Sequence, residues 1–472
     1  MNYWNIKPIL GQMNSQGVVV IFNYLYSKNL ILKVSKIINN EKICLNNVSK
    51  IENYGNIVFT KNFNNKKYQR FFIPLEEEGE YYQMNFINKF FGIVHSSKFL
   101  FLNEPNSFLI VSCDNYDAKL NKKNSLWTKM YNEIDKGDQL LLHIGDQVYM
   151  DKIISKEIKH IYNGELKKAK NLALSRYSKT WMPQSQLLST IPNLMIMDDH
   201  EIINNYENII KNNKININDN DDEEFFNKKY NMSKYLTKIV DIHTKFYMKY
   251  QISLHFSIPE DISWAKYYNK TDTLLICMDR TYTYFNLNYI DYIIENNPSK
   301  NLLFCYSGFP FIQPKNRKSK LYSFLFSDSK FMKKEIALGF YNILFKWKNV
   351  RDMNIVLAGG DAHFGMYGKI IEIKTGFHID VICSSPITNQ PTPDRFLLSK
   401  CYKGKNKISE HYNMNIIKSK ASRCYGKIDF SNNLNLIEMT FSNKNLPNSL
   451  LNYFNSLYKS KKSINKFNKK MN

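Results

Sequence analysis

The chain has 472 residues, of which 43% are hydrophobic and 14% aromatic, so it can bury a sizeable core and is not disordered throughout. Charged residues make up 23%, and no apolar run approaches the roughly 18 residues that a membrane-spanning helix needs. The net charge of +23 comes mainly from lysines scattered along the chain, which argues against a concentrated nucleic-acid-binding stripe.

The first 105 residues are predicted to form a small all-β domain. Short segments rich in β-branched and aromatic residues are separated by turn sequences such as GQMNSQG and ENYG. The segments are VVVIFNYLY, LILKV, NIVFT and RFFIPL. Closely spaced short strands of this kind are typical of an antiparallel sandwich.

From Phe108 onwards the pattern changes to apolar runs that each end in small, polar or acidic residues. The runs are FLIVSCD, QLLLHIGD, NLMIMDD, TLLICMD, NLLFCYSG, NIVLAGGD and IDVICSS. Helix-like stretches such as Ser155–Leu174 lie between several of them. This alternation predicts an α/β domain over 106–445, with a sheet covered on both faces and polar residues at the strands' carboxyl ends.

Two polar segments are predicted to lie outside this core. The stretch of about 211–230 is low in complexity and is interpreted as a flexible loop inserted in the second domain. The segment 446–472 is basic and is interpreted as a solvated tail, with contact to an anionic surface as the alternative.

Ionisable side chains follow four of the apolar runs. They are Cys113, Asp146, Tyr149, Asp198, Asp199, His200, Asp361 and His363. Singly, a buried cysteine or an N-capping aspartate explains such residues, and His143 inside its run is interpreted as a core histidine. Together, packing them without a cation would cost on the order of several kcal/mol. The joint pattern therefore predicts a metal cluster, with iron, manganese, calcium or magnesium favoured over a closed zinc site.

Two cations that share one carboxylate can clamp a hydrolytic displacement at phosphorus. A water or hydroxide bridging them is the expected nucleophile, and no phosphoenzyme is required. A nearby histidine or arginine would stabilise the added charge or protonate the leaving oxygen.

Three sequence blocks carry a family resemblance: GDQVYMD (Gly145–Asp151), MDDHEIINNY (Met197–Tyr206) and AGGDAHFG (Ala358–Gly365). They resemble the signature blocks of the PhoD-like alkaline phosphatases, a branch of the calcineurin-like metallophosphoesterases. FLIVSCDNYD around Cys113 is similar to the family's first strand, and VICSSPIT (Val381–Thr388) to a later block. PILGQMNSQGVVVIF is similar to the first strands of the family's fibronectin type III-like domain.

The resemblance implies a metallophosphoesterase-type α/β sandwich preceded by that small all-β domain. It also implies a set of metal ligands, namely Cys113, Asp146, Tyr149, Asp199, Asp361 and His363. Asp146 would bridge the metals, and His200 would contact the attacked phosphate or the leaving group. The implied cofactors are Fe3+, held by a thiolate and a phenolate, and one or more Ca2+ ions, with Mn2+ or Mg2+ as alternatives.

Two arginines have less specific assignments. Arg176, in LSRYSKTW, is assigned to catalysis through a phosphate oxygen, with a helix-surface salt bridge as the alternative. Arg280 is assigned to structural support, because Asp279 beside it is offset by one residue from the family's aspartate. The isolated histidine of the wider superfamily is missing, and Ser307 and Gly308 stand in that region instead.

The predicted function is that of a metal-dependent phosphoric ester hydrolase acting on a phosphorylated small molecule or a phosphodiester. The alternative is a decayed phosphatase scaffold that binds anions or nucleic acids, although every signature block keeps its ionisable residues. A third hypothesis keeps the hydrolase and changes its substrate to a diester or a phospholipid. No specific nucleic-acid partner and no membrane span are expected. The seven cysteines without a C-x-x-C pair and the N-terminus without a signal pattern predict an intracellular, cytoplasmic protein.

Overall fold

The computed structural model describes most of the chain, in fourteen stretches. They are 6–24, 30–37, 54–63, 68–117, 125–134, 138–204, 232–257, 259, 263–280, 286–316, 318–321, 332–389, 393–430 and 436–442. The predicted insertion 211–230 and the predicted basic tail 446–472 lie outside these residues.

The first seven strands form two antiparallel sheets with a common core. They are β1 (Ile6–Asn14), β2 (Gly17–Asn23), β3 (Leu30–Ile37), β4 (Tyr54–Asn62), β5 (Tyr68–Pro74), β6 (Tyr81–Asn88) and β7 (Gly92–Leu100). One sheet has the order β1-β2-β5 and the other β4-β3-β6-β7. Val20 and Phe22 of the first sheet share a buried cluster with Leu32 and Phe86 of the second. The predicted all-β character of this region is confirmed.

The predicted turn GQMNSQG is wrong over most of its length. β1 continues to Asn14, and only Ser15 and Gln16 form the turn to β2. Gly11 lies inside β1, where a Cβ would stand 2.2 Å from the carbonyl oxygen of Leu254. This glycine therefore permits a close backbone approach within a strand rather than a turn.

Thirteen further strands form two mixed sheets. They are β8 (Ser107–Val111), β9 (Gln139–Ile144), β10 (Asn193–Ile196), β11 (Trp264–Tyr268), β12 (Thr273–Met278), β13 (Asn301–Tyr306), β14 (Asn354–Gly359), β15 (Gly365–Glu372), β16 (His378–Ser384), β17 (Gly404–Lys407), β18 (Tyr412–Lys420), β19 (Cys424–Asp429) and β20 (Leu436–Phe441). The orders are β10-β9-β8-β19-β20 and β11-β12-β13-β14-β16-β15-β18-β17. All seven predicted apolar runs are strands. β8, β9 and β10 are parallel, as are β12, β13, β14 and β16.

Helices cover the outer faces of these two sheets. They are α1 (Leu126–Glu133), α2 (Ile154–Tyr162), α3 (Leu166–Trp181), α4 (Ser185–Leu188), α5 (Met232–Tyr250), α6 (Leu287–Asn296), α7 (Lys334–Arg351) and α8 (Pro393–Tyr402). One core joins Tyr177 of α3 to Leu142 of β9 and Cys305 of β13, and so spans both sheets. A second core places Phe340 of α7 and Leu398 of α8 against the larger sheet. The chain is therefore a mixed α/β protein.

The helix-like stretch predicted over Ser155–Leu174 is in fact two helices. α2 ends at Tyr162, and α3 begins at Leu166. Gly164, between them, has a φ of 74°, which is the left-handed conformation that commonly terminates a helix. Within the described stretches, no helix combines the length and the apolar character required to cross a membrane.

Candidate metal centre

The ionisable residues of the predicted cluster follow parallel strands of both large sheets. Cys113 lies two residues after β8, and Asp146 lies two residues after β9. Asp198 lies two residues after β10, and Asp361 two residues after β14. Parallel strands bring their carboxyl ends to one edge of a sheet, so chain segments nearly 250 residues apart in sequence meet at one place.

Four residues of this centre have backbone conformations that side chains rarely adopt. The φ angles of Cys113, Asp146, Asp361 and His363 are 58°, 59°, 53° and 55°. Among the described residues, only two other non-glycine positions have a positive φ. A left-handed residue costs on the order of 1–3 kcal/mol, and such residues cluster at functional sites. Sharp turns at the strand ends thus place these four side chains in the centre.

Four side chains with different donor atoms converge on one point, and we call them the Cys113 cluster: Cys113, Asp146, Tyr149 and His363. The Cys113 Sγ lies 3.4 Å from Asp146 Oδ2, and the Tyr149 hydroxyl donates to the same oxygen at 3.3 Å. The Tyr149 hydroxyl is also 3.2 Å from His363 Nε2. Donors that share one ion about 2.0–2.3 Å away lie about 3 Å apart, so these distances suit a common cation.

Two residues without a sequence-predicted role hold the Cys113 cluster in place. The Ser385 hydroxyl donates to Cys113 Sγ at 3.1 Å and accepts from the backbone N–H of His363 at 3.0 Å. The side-chain amide of Asn389 lies 3.2 Å from the Tyr149 hydroxyl and 3.4 Å from His363 Nε2. Ser385 belongs to the VICSSPIT block, and Asn389 directly follows it, so that block marks both residues.

Three carboxylates on the other side of Asp146 surround one guanidinium, and we call them the aspartate cluster: Asp198, Asp199 and Asp361. Arg280 Nε lies 2.9 Å from Asp198 Oδ1, and Nη2 lies 2.9 Å from Asp199 Oδ1. Its Nη1 donates to Asp361 Oδ2 at 2.8 Å. Arg280, assigned from sequence to structural support, thus lies within the centre itself.

His200 is oriented by partners on both sides of its ring. Its Nδ1 lies 2.7 Å from Asp151 Oδ1, and its ring stacks on that of Tyr149 at 4.1 Å between centroids. Its backbone N–H donates to Asp146 Oδ1 at 3.4 Å. Asp151 ends the GDQVYMD block but had no predicted role. The contact fixes one ring nitrogen and leaves Nε2 as the atom that can meet a substrate.

Glu201 joins the loop after β9 to the loop after β10. Its Oε2 accepts from the backbone N–H groups of Asp146 at 3.0 Å and Asp198 at 2.8 Å. Its Oε1 accepts from Val148 at 3.3 Å and, by a short hydrogen bond, from Gln147. The last residue of DDHE therefore acts as a buried acceptor for the backbone that carries Asp146.

The electrostatics of the centre reflect several acids buried together. Burial, then the charges of neighbouring acids, raises the pKa of the Cys113 thiol and the Tyr149 phenol well above their usual values. Burial likewise raises the pKa of Asp198, and raises that of Asp146 to about 6. Burial opposes the charged form of His200, yet Asp151 and the other nearby acids raise its pKa. A bound cation would favour the deprotonated acids and thiol.

Arg176 lies near this centre but not in direct contact with the ligand atoms. It is buried, with a relative exposure of 6%, and pairs with Asp117 Oδ2 at 2.7 Å. Its Nη2 is 3.5 Å from Asn115 Oδ1, two residues beyond Cys113. Its Nε has no hydrogen-bonding partner among the described residues. Arg176 is therefore buried beside the loop that follows β8, whereas an arginine in an ordinary salt bridge on a helix surface would be exposed.

His143 is not a ligand of the centre. Its two ring nitrogens lie 3.1 Å from Gln147 Oε1 and 3.2 Å from Asn193 Oδ1. Burial lowers its pKa to about 4, so the ring is neutral. Both ring nitrogens thus face core side chains rather than the metal centre, in agreement with its interpretation as a core histidine.

The donor atoms of the centre fit bound cations. Three groups each offer donor atoms within 4.8 Å of one another: Cys113, Asp146 and His363; Asp146, Asp199 and His200; and Asp146, Asp198 and Asp361. Asp146 belongs to all three groups, as expected of a bridging ligand. The buried Oδ2 of Asp198 has no hydrogen-bonding partner among the described residues, which is costly without a positive charge nearby.

Residues 108–234 match the family model described as PhoD-like phosphatase. This segment contains Cys113, Asp146, Tyr149 and the DDHE sequence. The resemblance predicted from the motifs is confirmed over this segment. Asp361 and His363 reach the centre from beyond the matched segment.

No curated protein matches the chain. Three solved structures of Bacteroides uniformis β-glucuronidase align with it at 9%, 10% and 8% identity, with TM-scores of 0.26, 0.26 and 0.24. Each alignment covers 80% of this chain and 42% of the other. At TM-scores this low, these structures neither support nor contradict the PhoD-like assignment.

Proposed function

We propose that this chain is a metal-dependent phosphoric ester hydrolase. The observation that carries the proposal is the convergence of three donor groups on Asp146 at the strand ends. A PhoD-like sequence supplies the first part of this centre. The two packed sheets with outer helices support a metallophosphoesterase-type sandwich over 106–445, and the sheets before it a fibronectin type III-like domain over 1–105.

The Cys113 cluster would hold ferric iron. Thiolate and phenolate donate strongly to a trivalent ion, and the carboxylate of Asp146 and the imidazole of His363 complete the set. Asp146 and Asp199 would hold calcium, with Asp361 as a further carboxylate ligand. Bound there, the cations would polarise the phosphoryl oxygens and acidify a water for attack on phosphorus.

His200 and Arg176 are the proposed contacts to the substrate. Asp151 fixes His200 Nδ1, so Nε2 faces the phosphoryl group or the leaving oxygen and donates a hydrogen bond to it. Arg176 presents a planar set of donors to a non-bridging oxygen, the geometry that suits phosphate. His200 therefore acts on the reacting atoms, and Arg176 on substrate position.

The proposal is tested on full-length protein purified without chelators. Bound metals are measured by mass spectrometry, and hydrolysis is measured with p-nitrophenyl phosphate and bis-p-nitrophenyl phosphate. We expect iron and calcium in the wild type, loss of iron in Cys113→Ala, and no loss in Cys401→Ala, which removes a buried thiol elsewhere. A wild type that retains no metal and hydrolyses neither ester would instead favour the anion-binding scaffold.

Replacing Arg176 by alanine is expected to raise the KM for p-nitrophenyl phosphate about tenfold or more. A hydrogen bond to a charged group contributes about 1.5–3 kcal/mol, and kcat should change less than KM. Lys170→Ala, an exposed position on the same helix, is the control. An unchanged KM would mean that Arg176 pairs with Asp117 and does not bind the substrate.

Replacing His200 by alanine is expected to lower kcat about 10²–10⁴-fold, the usual contribution of a positioned acid or base. The metal content should be kept, because the proposed ligand set does not include the ring of His200, whose Nδ1 pairs with Asp151. The exposed His411 provides the matched control, His411→Ala. Loss of metal together with activity would make His200 a ligand instead.

A further inference from the structure

The side chain of Arg280 lies inside the aspartate cluster and supplies it with a positive charge. Asp198, Asp199 and Asp361 have exposures of 0%, 2% and 6%, so little water reaches them. Three different nitrogens of Arg280 face these carboxylates, one each, at 2.8–2.9 Å. A guanidinium remains charged at all ordinary pH values and presents its donors in a fixed fork.

The backbone around Arg280 is shaped to admit this side chain. The backbone N–H of Arg280 donates to the Ser307 hydroxyl at 2.9 Å. A Cβ on Gly308 would stand 2.8 Å from Arg280 Cδ and 2.9 Å from Tyr306 Cε1. The side chain therefore passes over a position where only glycine leaves enough room.

We propose that Arg280 takes the place of one metal ion in this centre. Its positive charge offsets part of the negative charge of the aspartate cluster, and two of its nitrogens lie 2.8–2.9 Å from Asp198 and Asp361, so the group formed by Asp146, Asp198 and Asp361 does not take up a further divalent cation. Ion binding is then confined to the Cys113 cluster and to the Asp146–Asp199 side. This inference deepens the proposed function and rests on it, because it concerns the same metal centre.

The positive charges of Arg280 and of a divalent ion would repel each other in this buried group of carboxylates. A divalent ion bound by Asp146, Asp198 and Asp361 together would lie beside the guanidinium and would be repelled at short range in a site with little water. Asp198 depends on Arg280 for its positive partner, because Arg280 Nε lies 2.9 Å from the Oδ1 of this buried carboxylate, whereas Oδ2 has no hydrogen-bonding partner among the described residues. Without Arg280, Asp198 would need another cation.

The test compares Arg280→Met with Arg280→Lys and the wild type. Each protein is equilibrated with CaCl2 and desalted, and its bound ions are counted by mass spectrometry. We expect Arg280→Met to retain one more calcium per chain than the wild type, and Arg280→Lys, which keeps the charge, to match the wild type. The melting temperature of Arg280→Met should rise more steeply with calcium concentration than that of the wild type, because an additional ion that binds only the folded state stabilises it further.

Asp198→Asn in the wild-type background keeps the inference testable if Arg280→Met does not fold. The wild-type cluster is held by Arg280 rather than by an ion, so this variant should retain as many ions as the wild type. Loss of one ion in Asp198→Asn, or equal ion counts in folded Arg280→Met and wild type, would overturn the inference alone. A wild type without any bound ion would instead contradict the proposed function.

Discussion

Asp146→Asn should lower the hydrolysis of p-nitrophenyl phosphate by at least about 10³-fold, as expected for a residue on which a whole catalytic unit depends. Asp146 contributes to all three donor groups, so the substitution weakens every one of them. Asparagine has nearly the same shape and tolerates the left-handed φ of 59°, so the fold should survive. Kinetics and metal content measured on the same preparation check both expectations.

Asp352→Asn is the matched control for this prediction. Asp352 also has a left-handed backbone, with a φ of 50°, but its side chain is 95% exposed at the end of α7. The same chemical change in the same backbone conformation should therefore leave turnover unaltered. If Asp146→Asn were as active as Asp352→Asn, Asp146 would not be required for the proposed hydrolysis.

Glu201→Gln should lower the free energy of unfolding by about 2–4 kcal/mol. Each carboxylate oxygen of Glu201 accepts two backbone N–H groups, and glutamine would turn an NH2 group toward one of these pairs. Two buried N–H donors would then lose their acceptor and face another donor. The backbone that carries Asp146 would be the part directly affected.

Chemical denaturation followed by circular dichroism measures this effect. Glu295→Gln, an exposed position on α6, is the control, and its unfolding free energy should change by less than about 0.5 kcal/mol. If Glu201→Gln were as stable as the wild type, the four hydrogen bonds would not be important to stability.

The parallel strands could be predicted because each is buried on both faces. A strand such as β9, buried at every position, is mostly leucine and isoleucine and is followed by Gly145 and Asp146. β18 and β20 alternate or are largely exposed, and their sequences resemble those of many polar segments. The sequence therefore indicated the strands that deliver Cys113 and Asp146, but not those that complete the sheets.

The roles of Arg280, Asp151 and Asn389 could not be predicted, because each depends on a contact between distant parts of the chain. Arg280 meets Asp198 across 82 residues and Asp361 across 81. Asn389 reaches Tyr149 across 240 residues. Local sequence shows which residue types are present, whereas only the assembled sheets determine which of them meet.

The left-handed backbone at four residues of the centre has a consequence for ion affinity. At roughly 1–3 kcal/mol each, these conformations are maintained by the packing of the surrounding sheets. The packing of the sheets therefore holds the main chain in the shape that brings these four side chains together. Uptake of the ion then requires little ordering of Cys113, Asp146, Asp361 and His363, so binding is not weakened by a rearrangement of the main chain.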